Sequence, residues 1–197
     1  MTDDSAQHTA AQRVSLADAL AQQRDDLAIV DVDEPCQQLV LFRLAGQRFA
    51  LPGRAVNEIL SGDQPVYFVP GLPASTEGVI HLRGNIESVI TLQALLDLPA
   101  ADNDANGMLL LVSAAGIRSA VRIDSLDDVC DIPVNALKPP PDTLSSQLKP
   151  YVSALWQPAT PEESEKEVAE SYAEERGTAI VLLNPDALFS AYQQGLG

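Results

Sequence analysis

Short apolar runs separated by turn-forming residues recur along the chain, and the clearest example runs from Gly78 to Leu92. Two apolar runs, Val79–Leu82 and Ile86–Leu92, flank the break Arg83-Gly84-Asn85. β-Branched residues are frequent on both sides of this break, which favours an extended and largely buried backbone. Gly followed by Asn suits the positive φ angles of a tight turn. The stretch therefore predicts a β-hairpin that carries one cation, Arg83, at its tip.

Other parts of the chain repeat this pattern. Leu39–Leu44 and Arg48–Leu51 predict a second hairpin, and Met108–Val112 with Ile117–Asp124 predicts a third. Further strands are predicted at Pro65–Val69, Val129–Ile132, Tyr151–Trp156 and Thr178–Leu183. Many short strands with few helices and tight turns are typical of an all-β sandwich or of small barrels.

Between the predicted strands and after the last of them, and apart from residues 158–177, helices are predicted at three places. The apolar residues of Arg54–Leu60 recur at helical spacing, so Glu58 is interpreted as an exposed carboxylate on a helix face. A brief helix is predicted through Leu95-Leu96. The last helix follows Asn184-Pro185-Asp186, because Asn is a favoured N-cap and Pro is favoured in the first turn.

Two segments do not fit the strand pattern. Residues 1–36 are interpreted as an acidic flexible leader with a possible short helix capped by Ser15. Residues 37–197 are interpreted as one domain, interrupted at 158–177 by an acidic insertion. In that insertion, Thr160 and Glu163 have the spacing of a capping box, which predicts a marginal surface helix or a disordered excursion.

Composition narrows the classes of partner. The chain has 197 residues, 46% of them hydrophobic, and a formal net charge of −16. That charge argues against nucleic acid and against an anionic membrane surface, because both need an excess of Lys and Arg. No secretory signal and no apolar run long enough for a membrane span is visible, so we expect a cytoplasmic protein.

Candidate catalytic chemistry is sparse. The chain has no glycine-rich phosphate loop, no GxSxG elbow and no HExxH motif, and its histidines are His8 and His81. Cys36 and Cys130 lie far apart in the sequence and predict neither a zinc site nor a disulfide framework. Paired carboxylates such as Asp127-Asp128 are more often solvated than catalytic. The residues favour a binding protein over an enzyme, without a cofactor.

Several motifs in register resemble the CheW family of coupling proteins in bacterial chemosensory arrays. The set of motifs covers roughly residues 37–156 and 178–193. It comprises Leu39–Leu44, Phe49–Pro52, Val56-Asn57-Glu58-Ile59, Pro70 with Pro73, Gly78–Gly84, Val121–Leu126, Leu137-Lys138-Pro139, Tyr151–Leu155 and Ile180–Leu183.

The resemblance implies two intertwined, SH3-like five-stranded β-barrels without catalytic activity. It implies two partners, the cytoplasmic tip of a chemoreceptor and the regulatory domain of a CheA-type histidine kinase, at receptor arrays by the inner membrane. The partner-binding residues that it implies are Val56, Glu58, Ile59, His81, Arg83 and Gly84. For Glu58 and Arg83, a mutual salt bridge or plain solvent exposure is the alternative interpretation.

This sequence also departs from the family pattern. His81 replaces a usual Asn, Glu87-Ser88 a usual apolar-Pro pair, Thr91-Leu92-Gln93 a usual Asp-Leu-Arg, and Ala154 a common Gly. Two other functions therefore stay open. One is a module of the same fold that binds a different helical or peptide partner, and the other is an enzyme that uses carboxylates near the strand ends.

Overall fold

The computed structural model describes residues 34–99, 107–158 and 179–195, which, apart from Glu34, belong to one compact unit, 35–197. The predicted leader helix and the predicted helix at 158–177 lie outside the described residues, apart from residue 158. The described strands are β1 (Cys36–Leu44), β2 (Gln47–Pro52), β3 (Val56–Leu60), β4 (Thr76–Leu82), β5 (Asn85–Ile90), β6 (Met108–Ala114), β7 (Ile117–Ile123), β8 (Ser125–Pro133), β9 (Leu137–Lys138), β10 (Val152–Trp156) and β11 (Ile180–Leu183), followed by helix α1 (Pro185–Gln194).

The strands form two sheets through which the chain weaves. Sheet 1 has the order β8-β1-β2-β11-β10-β9, and sheet 2 has the order β3-β6-β7-β5-β4. The chain leaves sheet 1 after β2, builds all of sheet 2, and returns to sheet 1 with β8. The two sheets are therefore intertwined rather than consecutive.

Continuous apolar runs arise because several strands are buried on both faces. Along β1, Leu39 and Leu41 belong to the core inside sheet 1, whereas Val40 and Phe42 belong to a central core shared by the two sheets. Strands β6 and β7 of sheet 2 also supply side chains to the central core. The core inside sheet 2 consists of Leu60, Ile80, Val89, Leu109 and Ala120.

Helix α1 closes the central core and confirms the helix predicted after Asn184. The Asn184 side chain accepts a hydrogen bond from the backbone N–H of Ala187 at 3.2 Å, and Pro185 occupies the first turn. The helix buries Leu188, Phe189 and Tyr192. The hydroxyl groups of Tyr192 and Thr76 lie 3.0 Å apart, which ties the helix to sheet 2.

All three predicted hairpins are confirmed, and each has a two-residue turn with positive φ at both positions. The turns are Ala45-Gly46, Arg83-Gly84 and Ala115-Gly116. Such turns match the right-handed twist of paired strands. At the β4–β5 tip, the left-handed residues are Arg83 (φ 47°) and Gly84 (φ 85°), whereas Asn85 begins β5.

The helix predicted at Arg54–Leu60 is wrong. A short 3-10 turn over Gly53–Ala55 leads into strand β3, which pairs with β6. The register shifts between Val56 and Glu58, so Asn57 is an extra residue in the ladder. A bulge of this kind interrupts the two-residue alternation and leaves apolar residues at spacings that imitate a helix. Glu58 therefore lies on a strand.

Two smaller predictions also need correction. Pro65–Val69 forms a single bridge, Tyr67 to Val79, rather than a strand. Pro65 and Pro70 flank this bridge, and a Pro residue cannot donate to a ladder. The helix through Leu95-Leu96 is a single turn, closed by a 2.9 Å bond from the Leu96 N–H to the Leu92 carbonyl.

Asp127 of β8 forms ion pairs with β1 and β2, the two strands that follow β8 in the order of sheet 1. Arg43 of β1 lies directly opposite Arg48 of β2, an unfavourable pairing of like charges. A bulge in β8 places the Asp127 carboxylate against both: Arg43 Nε donates to Oδ1 at 3.0 Å, and Arg48 Nε donates to Oδ2 at 2.9 Å. One partly buried carboxylate thus satisfies two cations.

Replacing Asp127 with Asn should destabilise the fold. We expect the free energy of unfolding to fall by about 1–3 kcal/mol, because hydrogen bonds to charged groups are lost and two adjacent cations remain. Urea denaturation measures this change. Asp131→Asn, an equal charge change at an exposed position of the same strand, is the control and should stay within about 0.5 kcal/mol of wild type. Equal effects of the two substitutions would contradict this role.

Candidate partner-binding site

Glu58 and Arg83 form an ion pair on the surface of sheet 2. Arg83 Nη2 donates to Glu58 Oε1 at 2.7 Å, and the side chains are 76% and 27% exposed respectively. Glu58 lies on β3 and Arg83 directly follows β4, and these are the two outermost strands of the sheet. The mutual salt bridge, the alternative interpretation of these residues, is therefore formed, and it joins the two edges of sheet 2.

The other predicted site residues fall into two groups. Val56 and Ile59 lie on β3 with Glu58, half-buried and packed against the central core. His81 and Gly84 lie on the β4–β5 hairpin with Arg83, and both are exposed. A Cβ at Gly84 would meet no atom within 4 Å, so its positive φ is the structural reason for Gly at this position.

A second ion pair, Glu87 with Arg118, lies inside sheet 2 and was not foreseen from the sequence. Glu87 is almost fully buried, and its Oε1 accepts from Arg118 Nε at 3.0 Å and also from Nη2. The hydrogen bond to Glu87 raises the pKa of Arg118 above its usual value, ahead of the charge attraction. Beside this pair, the hydroxyl groups of Ser88 and Ser119 lie 2.7 Å apart.

These contacts explain one departure from the family pattern. Strands β5 and β7 run parallel, with Val89 next to Ala120. The same register places Glu87-Ser88 of β5 beside Arg118-Ser119 of β7. The usual apolar-Pro pair is therefore replaced by two polar residues that find matching partners on the neighbouring strand. In the sequence, the signal for this pairing is that the dipeptides Glu87-Ser88 and Arg118-Ser119 are complementary in charge and hydrogen bonding.

A third ion pair bridges β7 and β4. Arg122 donates from Nε and Nη2 to the two carboxylate oxygens of Glu77, at 2.9 and 2.6 Å. Arg122 lies opposite Leu109, on the face that lines the interior of sheet 2. Arg118 lies on the same face, four residues away along β7. The apolar interior of sheet 2 is thus flanked along β7 by paired charges.

Three other residues that depart from the family pattern are Ala154, Gln93 and His81. Ala154 is buried in the core of sheet 1. The Gln93 side chain is buried, and neither its amide nitrogen nor its oxygen has a hydrogen-bond partner. His81 lies opposite Ile86 on the exposed part of the hairpin.

The described residues contain no group of three or more His, Cys, Asp or Glu side chains that could hold a metal ion. An open cavity of about 460 Å³ is lined by Ser113, Ala114, Gly116, Ile117 and Arg118, none of which carries a carboxylate. In this part of the chain, no helix is long and apolar enough to cross a membrane.

Cys130 is a poor nucleophile. Partial burial raises the pKa of its thiol, and the neighbouring carboxylates of Asp128 and Asp131 raise it further. The thiol therefore stays protonated to a higher pH than an ordinary cysteine, and the thiolate is the reactive form.

Removing the partner of Glu87 should be costly. Arg118→Val leaves a buried carboxylate without its donor, and we expect a loss of about 1–3 kcal/mol in the free energy of unfolding. Glu87→Val combined with Arg118→Val should recover at least half of that loss, because an apolar pair can replace a buried ion pair. Urea denaturation of the single and double variants measures the coupling. Simple additivity of the two single effects would contradict it.

Alkylation of Cys130 should be slow in the folded protein. In a Cys36→Ser variant, we expect iodoacetamide to modify Cys130 more slowly than in the same chain unfolded in urea. The difference should narrow as the pH rises, because the folded thiol ionises at higher pH. Mass spectrometry of quenched samples follows the reaction. Equal rates at mildly alkaline pH would contradict the raised pKa.

The fold and the exposed pair define an all-β interaction domain of two intertwined sheets. Residues 38–193 match the family model of the CheW-like domain, so the chain belongs to this family. The resemblance inferred from the sequence motifs is thereby confirmed. The family assignment supports a role as a chemotaxis adaptor in general.

Two relatives with the family's name support this family assignment. The chain is 28% identical over 109 residues to "Chemotaxis protein CheW" of Rhizobium meliloti (strain 1021), covering 55% of this chain and 70% of that protein. It is 24% identical over 106 residues to "Chemotaxis protein CheW" of Bacillus subtilis (strain 168), covering 54% and 67%.

The comparison with solved structures confirms the fold class. The crystal structure of the scaffolding protein TtCheW from Thermoanaerobacter tengcongensis matches with a TM-score of 0.63 and 21% identity, covering 79% of this chain and 93% of that chain. The fold is therefore two SH3-like β-barrels, one formed by each sheet. Sheet 1 has six strands rather than five because the two-residue β9 joins it.

Proposed function

We propose that this protein is a non-catalytic adaptor that couples chemoreceptor tips to the regulatory domain of a CheA-type histidine kinase. The observation that carries the proposal is the exposed Arg83–Glu58 pair, whose two residues lie in two of the motifs that resemble the CheW family. We propose a cytoplasmic location at receptor arrays by the inner membrane, and no cofactor. We also propose that residues 1–36 act as a leader and that 158–177 is an insertion in a single domain.

The geometry of Arg83 leaves hydrogen-bond donors for a second partner. In the free protein, Arg83 contacts Glu58 through one guanidinium nitrogen, and a guanidinium group has five donors. A carboxylate on a receptor helix could therefore bind Arg83 while Glu58 stays in place. An exposed ion pair contributes at most about 1 kcal/mol, so rearranging it on binding costs little.

Apolar contacts would come from β3. Val56 and Ile59 are half-buried on the same edge strand as Glu58. They lie on the face of β3 opposite to Glu58, so a helix laid along this edge would meet the ion pair and also the exposed parts of both side chains. Their packing against the central core fixes their positions, which reduces the entropy lost on binding.

A second candidate function is a module of the same fold that binds another helical or peptide partner. The observation in its favour is the β4–β5 hairpin, where His81 and Glu87 depart from the family pattern and the buried Glu87 pairs with Arg118 of β7.

The proposal is tested by measuring binding to a receptor-tip hairpin and to a kinase regulatory domain from the same genome. We expect wild type to bind both, and Arg83→Glu to lose at least about tenfold in affinity for the receptor tip, because two carboxylates then face one another. Isothermal titration calorimetry measures both affinities.

The matched control is Lys149→Glu, an equal charge reversal at an exposed position whose contact with Asp142 is 3.6 Å long. This variant should bind like wild type. Deleting residues 158–177 shows whether the insertion affects either affinity. Wild type binding neither partner, or the kinase domain alone, would contradict the coupling function.

A further inference from the structure

Three large apolar side chains are exposed on and beside the β4–β5 hairpin. Tyr67, Phe68 and Ile86 are 58%, 77% and 73% exposed. Tyr67 is held to β4 by two backbone hydrogen bonds with Val79, at 2.8 and 2.9 Å. The position of Tyr67 is therefore fixed by the sheet although its side chain is in solvent. Exposed apolar groups gathered in this way mark an interaction surface.

The pairing register places Tyr67 and Ile86 on one face, and Phe68 follows Tyr67 in the chain, exposed at the edge of that face. Residues directly opposite each other in antiparallel strands share a face, and residues two apart along a strand do so too. Tyr67 is opposite Val79, and His81 is opposite Ile86. This face is opposite to that of the buried Ile80. None of the four residues is acidic, although the chain carries 28 Asp and Glu residues.

Addition of a strand at this edge is disfavoured. Pro65 and Pro70 flank the Tyr67 bridge, and a Pro residue has no N–H to offer to an incoming strand. Binding must then proceed through side chains, and a helix is the element that presents a row of side chains without needing backbone partners.

The spacing on the hairpin matches a helix laid along it. Three features follow one another along β4 at two-residue steps of roughly 6.6 Å. They are the Tyr67–Val79 pair, the His81–Ile86 pair and Arg83 in the turn. An α-helix rises about 1.5 Å per residue, so positions four and eight residues apart are separated by roughly 6 and 12 Å.

We propose that the hairpin binds an amphipathic helix that carries a carboxylate at position i and apolar residues at i+4 and at i+7 or i+8. The carboxylate pairs with Arg83, the first apolar residue contacts Ile86, and the second contacts Tyr67 and Phe68. The inference rests on the proposed function, since it names the chemistry of the receptor helix that Arg83 binds. Tyr67 and Phe68 are then specificity-determining residues.

Charge complementarity supports this choice of occupant. The side chain of Arg83 is mostly exposed at one end of the face, where Glu58 contacts it through one nitrogen, and none of Tyr67, Val79, His81 and Ile86 carries a carboxylate to repel an acidic helix. Elsewhere a net charge of −16 disfavours the approach of acidic partners. An apolar helix with a carboxylate at one end therefore fits here better than at other surfaces of the protein.

The test uses the full chain, the receptor-tip hairpin and the kinase regulatory domain. Tyr67→Ser combined with Phe68→Ser should weaken binding of the receptor tip more than tenfold and leave binding of the kinase domain unchanged. The control is Val129→Ser with Val134→Ser, two partly exposed apolar residues of sheet 1 and the turn after it, and it should change neither affinity.

A second measurement avoids dependence on the variants. Titration of isotope-labelled wild type with the receptor-tip hairpin should shift the amide NMR signals of Tyr67, Phe68 and Ile86 together with that of Arg83. If Arg83→Glu abolishes binding but the Tyr67/Phe68 variant binds like wild type, the inference is overturned and the proposed function stands. If wild type binds neither partner, both are overturned.

Discussion

The packing of the two sheets against each other in one central core is the constraint on which the structure depends. Strand β1 supplies Val40 and Phe42 to this core and Leu39 and Leu41 to the interior of its own sheet, so it is buried on both faces. The chain crosses between sheets after β2 and again before β8. Strand β3 follows the first crossing directly, and it carries Glu58. The candidate partner site that includes Glu58 therefore begins at the junction of the two barrels.

Charge is distributed within sheet 2 according to burial. The Glu87 carboxylate, which pairs with Arg118, is almost fully buried, and the Glu77–Arg122 pair is partly buried. Removing one partner of either pair therefore leaves a poorly solvated charge. Glu58–Arg83 is solvated and contributes little to folding. The most exposed pair is thus the one that contributes least to folding, while the other two pairs connect β4 and β5 to β7.

Local signals allowed most of the hairpins, the cap of α1 and the location of Arg83 to be predicted from sequence. The strand β3 could not be predicted, because the bulge at Asn57 removes the alternation by which a strand is recognised. The pairing of Glu58 with Arg83 depends on closure of sheet 2, and no local pattern encodes that closure. Tyr67 and Phe68 belong to the strand predicted at Pro65–Val69, and the flanking prolines limit that segment to a single bridge.

The place of β11 in sheet 1 has a consequence for how the chain folds. Residues 180–183 lie between β2 and β10, in the middle of the sheet, yet they follow every other described strand in the chain. During synthesis, sheet 2 can complete its pairing while one edge of β2 is still unpaired, because its partner β11 lies about 130 residues further along the chain. Non-local pairing of this kind slows folding and exposes an unpaired edge to association. A chain that ends before Ile180 would keep the β4–β5 hairpin but lose the strand that closes the other barrel.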